Sequence, residues 1–227
     1  MRLQEVGCFA RTLGCPQDRI HVYDLLSGAP TADELAEFDI VLLGGSGEYS
    51  VAEGGPWLPA ALDAMRELYD IGKPTFASCW GFQAMSRALG GEVVTDPSRA
   101  ELGTVKVRAT EAGRSDPLFA NLGDEFPAQM GHQDIVQRLP DDAILLASTD
   151  RVTNQAFSFS DKPIYCTQFH PELDRAGLIQ RVEAYPQYVE NIVGTTLEDF
   201  VRGHCFETPE TGQLLKRFAE SVMSAEL

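Results

Sequence analysis

The chain has 227 residues, 18 of them basic and 34 acidic, so its formal net charge is −16 at pH 7. Hydrophobic residues make up 44% of the sequence, which is enough for one large core. The excess negative charge repels nucleic-acid phosphates and anionic lipids alike. We therefore expect neither a nucleic-acid partner nor a membrane surface.

The N-terminus and the cysteines indicate where the protein resides. The first stretch, MRLQEVGCFART, contains no apolar signal-peptide core, and no long uncharged apolar run follows it. The five cysteines are scattered and lack the spacing of a metal site. The sequence thus predicts a cytoplasmic protein with free thiols. No metal and no other cofactor is expected.

Short apolar runs alternate with helical patterns in the first half of the chain. RLQEVGCF (2–9) and RIHVYDLL (19–26) are predicted strands, as is the apolar run FDIVLLGG (38–45). Helices are predicted over 56–72 and 80–91, on either side of the predicted strand KPTFAS. This alternation predicts a doubly wound α/β fold, in which sites form at the C-terminal ends of strands.

The second half is richer in strands. Five more are predicted there: GEVVTD, LGTVKVRAT, AILLASTD, QAFSFS and PIYCTQF. They extend the sheet, so we expect a mixed, mostly parallel sheet flanked by helices. Residues 174–227 are predicted to form a helical C-terminal extension packed on the domain, and residues 1–227 a single domain.

Cys79 stands between a predicted strand and a predicted helix, with Gly81 two residues later. This order is typical of a nucleophile elbow, in which a sharp turn lifts the side chain above the sheet. The helix N-terminus directs its free N–H groups at the sulfur and favours the thiolate. The alternative is a buried core cysteine, because free cysteine is among the most buried residue types.

His170 follows an apolar strand and is therefore expected at a strand end as well. Glu172 lies two residues further on and is placed to orient the imidazole, as the third member of a catalytic triad does. A surface turn would also explain His-Pro-Glu. The sequence predicts Cys79 as nucleophile, with His170 as its base.

The glycine-rich segment LLGGSGEYS (42–50) follows another buried strand. Its glycines leave backbone N–H groups free, so the N–H groups of Gly45 and Trp80 are candidates for an oxyanion hole. A plain tight turn would explain the glycines too. A phosphate loop is disfavoured because no lysine follows and Glu48 would repel phosphate.

Four segments together resemble a class I, triad-type glutamine amidotransferase, most closely the stand-alone relatives of the GMP synthase amidotransferase domain. They are GGSGE (44–48), SCWGFQ (78–83), MGHQD (130–134) and QFHPE (168–172). The resemblance spans roughly residues 1–175 and implies the family's fold, with a flavodoxin-like core. Ala77 departs from it, standing where the family usually has glycine.

The resemblance also implies roles for individual residues. Cys79 would form a γ-glutamyl thioester, and His170, oriented by Glu172, would protonate the leaving ammonia. Gln83 would contact the substrate, as would the backbone around Met130, Gly131 and His132. His132 matches the substrate-loop position of the family rather than the base.

Three functions remain open at this point. The first is an amidotransferase subunit that hydrolyses glutamine and passes ammonia to a separate synthase partner, since 227 residues leave no room for an attached synthase domain. The second is a stand-alone hydrolase of γ-glutamyl peptides with the same triad. The third is a non-catalytic regulatory module, which the intact Cys-His-Glu set disfavours.

Overall fold

A seven-stranded mixed sheet forms the centre of this computed structural model, which describes residues 2–225. The strands, in chain order, are β1 (Val41–Leu43), β2 (Thr75–Ser78), β3 (Glu92–Thr95), β4 (Glu101–Ala109), β5 (Glu125–His132), β6 (Asp134–Arg138), β7 (Ile144–Ser148), β8 (Ala156–Ser158) and β9 (Ile164–Thr167). In space the large sheet runs β1-β2-β9-β8-β7-β4-β5, while β3 and β6 form a separate antiparallel pair.

The helices lie around this sheet. Within residues 2–225 they are α1 (Arg2–Leu13), α2 (Ala32–Ala36), α3 (Leu58–Asp70), α4 (Trp80–Ala88), α5 (Glu111–Ser115), α6 (Arg175–Ala184), α7 (Pro186–Tyr188), α8 (Leu197–His204) and α9 (Leu214–Ala225). In this part of the chain, no helix is both long and apolar enough to cross a membrane.

The mixed α/β sheet flanked by helices is confirmed, but its parallel part is smaller than predicted. Of the pairings in the large sheet, β1–β2 and β2–β9 are parallel, and those from β9 through β8, β7 and β4 to β5 are antiparallel. Parallel neighbours need a long crossover, whereas antiparallel neighbours can be joined by short turns. The first half of the chain supplies the helical crossover α3, but short loops join β7 to β8 and β8 to β9.

Both strands predicted before residue 30 are wrong. Residues 2–13 form α1 instead, because Val6, Phe9, Ala10 and Leu13 have the i, i+3, i+4, i+7 spacing of a helix face. Residues 20–26 form no strand, and Val22 and Tyr23 are exposed there. The remaining predicted strands are present, and β5 and β6 were missed. Pro127 hides β5 from a sequence pattern, yet proline is tolerated there since β5 is an edge strand.

Helices cover both faces of the sheet. On one face Phe76 packs between the sheet and α9, where its ring lies 5.6 Å from that of Phe218, and Phe9 of α1 belongs to the same buried cluster. On the other face Met65 of α3 and Phe82 of α4 lie in a second buried cluster. Burial of this apolar surface holds α4 against the end of β2, where the site lies.

Candidate active site

Cys79 occupies the turn between β2 and α4. Its backbone has φ 50° and ψ −99°, and it is the one non-glycine residue within 2–225 with a positive φ. Such a conformation costs about 1–3 kcal/mol and persists only when its surroundings hold it. Here the Cys79 N–H donates to the carbonyl of Thr167 at 2.8 Å. A Cβ at Gly81 would lie 2.5 Å from Leu43 Cβ, so glycine is needed for α4 to approach β1.

His170 and Glu172 follow β9, the parallel neighbour of β2. The His170 N–H donates to the carbonyl of Gln129 at 2.9 Å, which anchors the turn. His170 Nδ1 lies 2.7 Å from Glu172 Oε1, and the two residues are 5% and 0% exposed. A Cβ at Gly45 would lie 2.8 Å from His170 Cε1 and 3.7 Å from Cys79 Cβ. The glycine-rich loop, the elbow and the His-Pro-Glu turn therefore meet at one point.

The protonation states of His170 and Glu172 depend on each other and on their charged neighbours. Burial alone would lower the pKa of His170, but the neighbouring Glu172 and Cys79 outweigh it and raise the pKa to about 9. For Glu172 burial alone would raise the pKa, but the positive charges of His170 and Arg181 outweigh it and hold the pKa below its usual range. The pair is thus an imidazolium and a carboxylate at neutral pH.

The two predicted oxyanion donors differ in their surroundings. As the first residue of α4, Trp80 has no intrahelical acceptor for its N–H. The Gly45 N–H, in contrast, is not free: it donates to the carboxylate of Glu5 at 3.0 Å. Glu5 belongs to α1, the helix that the sequence pattern assigned to a strand.

Gln83 and the segment around Gly131 form another wall of the site. The Gln83 side chain donates to the carbonyl of Asp134 at 3.0 Å and to Gln168 Oε1 at 3.2 Å. These hydrogen bonds link Gln83 of α4 to β6 and to the segment that follows β9. The carbonyl of Gly131 lies 3.8 Å from Cys79 Sγ, and Met130 beside it is fully buried.

Both ring nitrogens of His132 lie next to acceptor oxygens. Nδ1 lies 3.1 Å from the carbonyl oxygen of Asp134, and Nε2 lies 3.3 Å from Glu101 Oε2. Glu101 in turn accepts from Gln155. Both ring nitrogens of His132 thus contact oxygen atoms of other residues rather than Cys79, in keeping with the interpretation of His132 as a loop residue.

Sequence reasoning missed Arg181, which contacts the catalytic candidates directly. Its Nη1 lies 3.2 Å from His170 Nδ1, and its Nη2 lies 3.5 Å from Glu172 Oε1 and 3.0 Å from Glu5 Oε1. Arg181 comes from α6 and Glu5 from α1. No local sequence pattern predicts the contact between Arg181 and Glu5, because these residues lie 176 positions apart.

A cavity of about 360 Å³ opens at this edge of the sheet. Glu172 and Trp80 are not among the residues that line it: Glu172 is fully buried against His170, and the Trp80 side chain packs against Trp57 at a ring distance of 5.9 Å. The predicted site residues that line the cavity are Gly45, Cys79, Gln83, Met130, Gly131, His132 and His170.

The other cysteines have a different environment. Cys166 is fully buried in the core, and burial raises the pKa of its thiol. Burial also raises the pKa of Cys8, and that of Cys205 to about 11. In the described part of the chain all five cysteines are free, and no group of three or more His, Cys, Asp or Glu side chains could hold a metal ion. Of these cysteines, Cys79 is the one on the cavity wall.

Comparison with known proteins decides the family. Residues 18–176 match the family described as Glutamine amidotransferase class-I. The chain belongs to that family. This match covers well over half of the chain and includes the elbow, the glycine-rich loop and the His-Pro-Glu turn.

The curated relatives include glutamine-hydrolyzing GMP synthases. The chain is 35% identical over 156 residues to the glutamine-hydrolyzing GMP synthase of Streptomyces avermitilis, an alignment that covers 68% of this chain and 28% of the relative. It is 30% identical over 203 residues to the enzyme of the same name from Teredinibacter turnerae, covering 85% of this chain and 34% of the relative. The chain thus spans about a third or less of the length of these relatives.

Solved structures share the fold. A glutamine amidotransferase from Thermotoga maritima superposes with a TM-score of 0.72 at 22% identity, covering 88% of this chain and 84% of that one. A glutamine amidotransferase from Methylobacillus flagellatus gives a TM-score of 0.68 at 22% identity, with coverage of 97% and 87%. At this identity the likeness concerns the fold alone.

Proposed function

We propose that the chain is a cysteine-dependent glutamine amidotransferase that hydrolyses the side-chain amide of glutamine and supplies ammonia to a separate acceptor. The observation that carries the proposal is the meeting of Cys79, in its strained turn, with the buried His170–Glu172 pair at the edge of the cavity. A nucleophile, a base and a group that orients the base are the parts that acyl transfer requires.

In the first half of the reaction, the Cys79 sulfur forms a bond to the amide carbon and the carbonyl electron pair moves onto oxygen. Backbone N–H groups of the glycine-rich loop and of α4 bind that oxygen. The pair then returns and the C–N bond breaks. Because His170 is an imidazolium at neutral pH, it gives its proton to the departing nitrogen, which leaves as ammonia. A γ-glutamyl thioester remains on Cys79.

In the second half, His170 is neutral and acts as general base. It takes a proton from a water molecule as the water oxygen attacks the thioester carbon. The C–S bond then breaks, Cys79 leaves as a thiolate paired with the imidazolium, and glutamate is released. Glu172 holds the ring by its 2.7 Å contact throughout both steps.

The proposal pairs the chain with a synthase partner that takes up the ammonia. The curated relatives are glutamine-hydrolyzing GMP synthases, and this chain covers only 28% and 34% of their length. The name of these relatives joins glutamine hydrolysis to a synthase reaction, which supports the proposal that a synthase uses the ammonia released by this chain. A partner of this kind would raise the rate of glutamine hydrolysis when it binds.

The cavity itself favours a second candidate, hydrolysis of γ-glutamyl peptides. Its volume of about 360 Å³ falls within the range of about 300–1,000 Å³ typical of small-molecule sites, so a leaving group larger than ammonia could be held. The covalent chemistry would be the same, with an amine in place of ammonia.

Glutamate release separates these functions. The purified protein and the variant Cys79→Ala are given glutamine or a set of γ-glutamyl peptides, with and without a candidate synthase. Release from glutamine that depends on Cys79 supports the amidotransferase. Much faster release from peptides without a partner would replace it with the peptidase. No release from either, with or without the partner, would overturn both and favour the non-catalytic module.

A further inference from the structure

The carboxylate of Glu5 accepts a hydrogen bond from the Gly45 N–H, one of the two groups predicted to form the oxyanion hole. Glu5 Oε1 accepts from the Gly45 N–H at 3.0 Å and from Arg181 Nη2 at 3.0 Å. The side chains of Glu5 and Arg181 are 24% and 18% exposed. Both residues lie outside 18–176, the range that matches the family. Gly45, which donates the hydrogen bond, lies inside that range.

Gly44 is shaped to admit this carboxylate. A Cβ at position 44 would lie 2.6 Å from Glu5 Oε1 and 2.9 Å from Oε2, closer than atoms in real contacts approach. Any other residue at this position would push the carboxylate away. The Glu5 side chain thus fills space that the glycine leaves beside the loop.

The position of Glu5 conflicts with the chemistry of the site. An oxyanion hole needs a free N–H donor, and loss of one donor typically costs about 10²–10³-fold in rate. Glu5 takes that donor and adds a negative charge where the transition state develops another. Both effects act on the transition state far more than on bound glutamine, whose carbonyl oxygen carries only a partial charge.

We propose that Glu5 caps the oxyanion hole in the resting protein and that the Gly45 N–H becomes available only when the carboxylate moves off it. Glu5 is a positioning residue in this scheme, because it acts through Gly45 and touches no reacting atom. Arg181 holds the carboxylate in the cap. The inference rests on the proposed function, and it predicts that the protein alone hydrolyses glutamine slowly.

The kinetic test compares Glu5→Gln and Glu5→Ala with the wild-type protein, and uses Glu67→Gln, an exposed residue of α3, as the control. Glu5→Ala is expected to raise kcat for glutamate release from glutamine about tenfold or more and to leave KM unchanged. Glu5→Gln, which keeps the shape and removes the charge, is expected to give a smaller rise. The control should match the wild type. An unchanged or lower kcat in both Glu5 variants would overturn the inference.

A labelling experiment separates failure of the cap from failure of the proposed function. The probe is the diazoketone analogue of glutamine: its diazo carbon takes a proton, the Cys79 sulfur bonds to that carbon and dinitrogen leaves, while the ketone oxygen needs the oxyanion donors. Faster labelling of Glu5→Ala, with unchanged labelling by iodoacetamide, supports the cap even if no protein turns over glutamine. Equal rates for wild type and Glu5→Ala overturn the cap and leave the proposed function standing. No labelling of any protein by the diazoketone, with normal labelling by iodoacetamide, overturns both.

Discussion

Ser78 and Thr167 are register partners in the parallel strands β2 and β9. Cys79 directly follows Ser78, and His170 lies three residues after Thr167, so both leave the sheet at the same edge. This pairing brings together two segments that lie about 90 positions apart in sequence. The nucleophile and its base are thus positioned by sheet register, and the turns after each strand aim the side chains.

The buried carboxylate of Glu172 gives the first prediction. Glu172→Gln keeps the size of the side chain but removes the charge that stabilises the His170 imidazolium. We expect kcat for glutamate release to fall by about 10²–10⁴-fold, measured at neutral pH. The exposed-helix variant Glu67→Gln serves as control for loss of one negative charge. A Glu172→Gln protein with wild-type kcat would show that Glu172 does not orient the base.

The raised pKa of His170 predicts the pH dependence of the reaction. A pKa raised from 6.5 to about 9 keeps the imidazole protonated through the neutral range. The proton needed by the leaving ammonia is therefore present at neutral pH and is lost as pH rises through about 9. We expect kcat/KM for glutamine to decline on the alkaline side with a midpoint near that value. A decline centred near 6.5 would contradict the ion-pair arrangement.

Thiol reactivity distinguishes the two histidines near the cavity. His170→Asn removes the imidazolium beside Cys79, so alkylation of Cys79 by iodoacetamide at pH 7 should slow by about tenfold or more. His132→Asn should change this rate far less, because both ring nitrogens of His132 contact oxygen atoms of other residues rather than Cys79. Alkylation is followed by mass spectrometry of the Cys79 peptide. Equal slowing in the two variants would mean that His170 has no special relation to the thiol.

The close approach of Gly81 to Leu43 predicts how the stability of the protein responds to a substitution at Gly81. Gly81→Ala would place a Cβ 2.5 Å from Leu43 Cβ and 3.1 Å from the Leu43 carbonyl oxygen. We expect the free energy of unfolding, measured in urea, to fall by about 1–3 kcal/mol. Gly203→Ala in α8 is the matched control: nothing lies within 4 Å of its Cβ, and a helical alanine should stabilise by about 0.5–1 kcal/mol. A Gly81→Ala protein as stable as the wild type would show that α4 can shift away from β1.

Sequence patterns predicted most strands of the sheet and the turn at Cys79, because strand ends and tight turns depend on neighbouring residues. Residues 2–9 show the limit of this approach. A short apolar run is compatible with either a strand or a helix. Here the packing of Phe9 beside α9 favours the helix. The share of parallel strands was also overestimated, since strand direction depends on how the later loops close.

The missed residues of the site lie far apart in the chain. Glu5 and Arg181 meet at 3.0 Å only because α1 and α6 both pack near the glycine-rich loop. Neither residue belongs to a sequence motif. In the sequence each is indistinguishable from a charged residue on the solvent face of a helix. The glycine-rich sequence predicts a free N–H at Gly45. Only the folded structure shows that this N–H donates to Glu5.

The thioester on Cys79 is the intermediate on which the proposed chemistry depends, and it can be trapped. The protein is mixed with glutamine, with its synthase partner where one is required, quenched with acid during turnover, digested and analysed by mass spectrometry. We predict that the Cys79 peptide carries one γ-glutamyl group and that Cys79→Ala yields neither this adduct nor glutamate. Glutamate release by Cys79→Ala, or an adduct on a different residue, would contradict the assignment of Cys79 as the nucleophile.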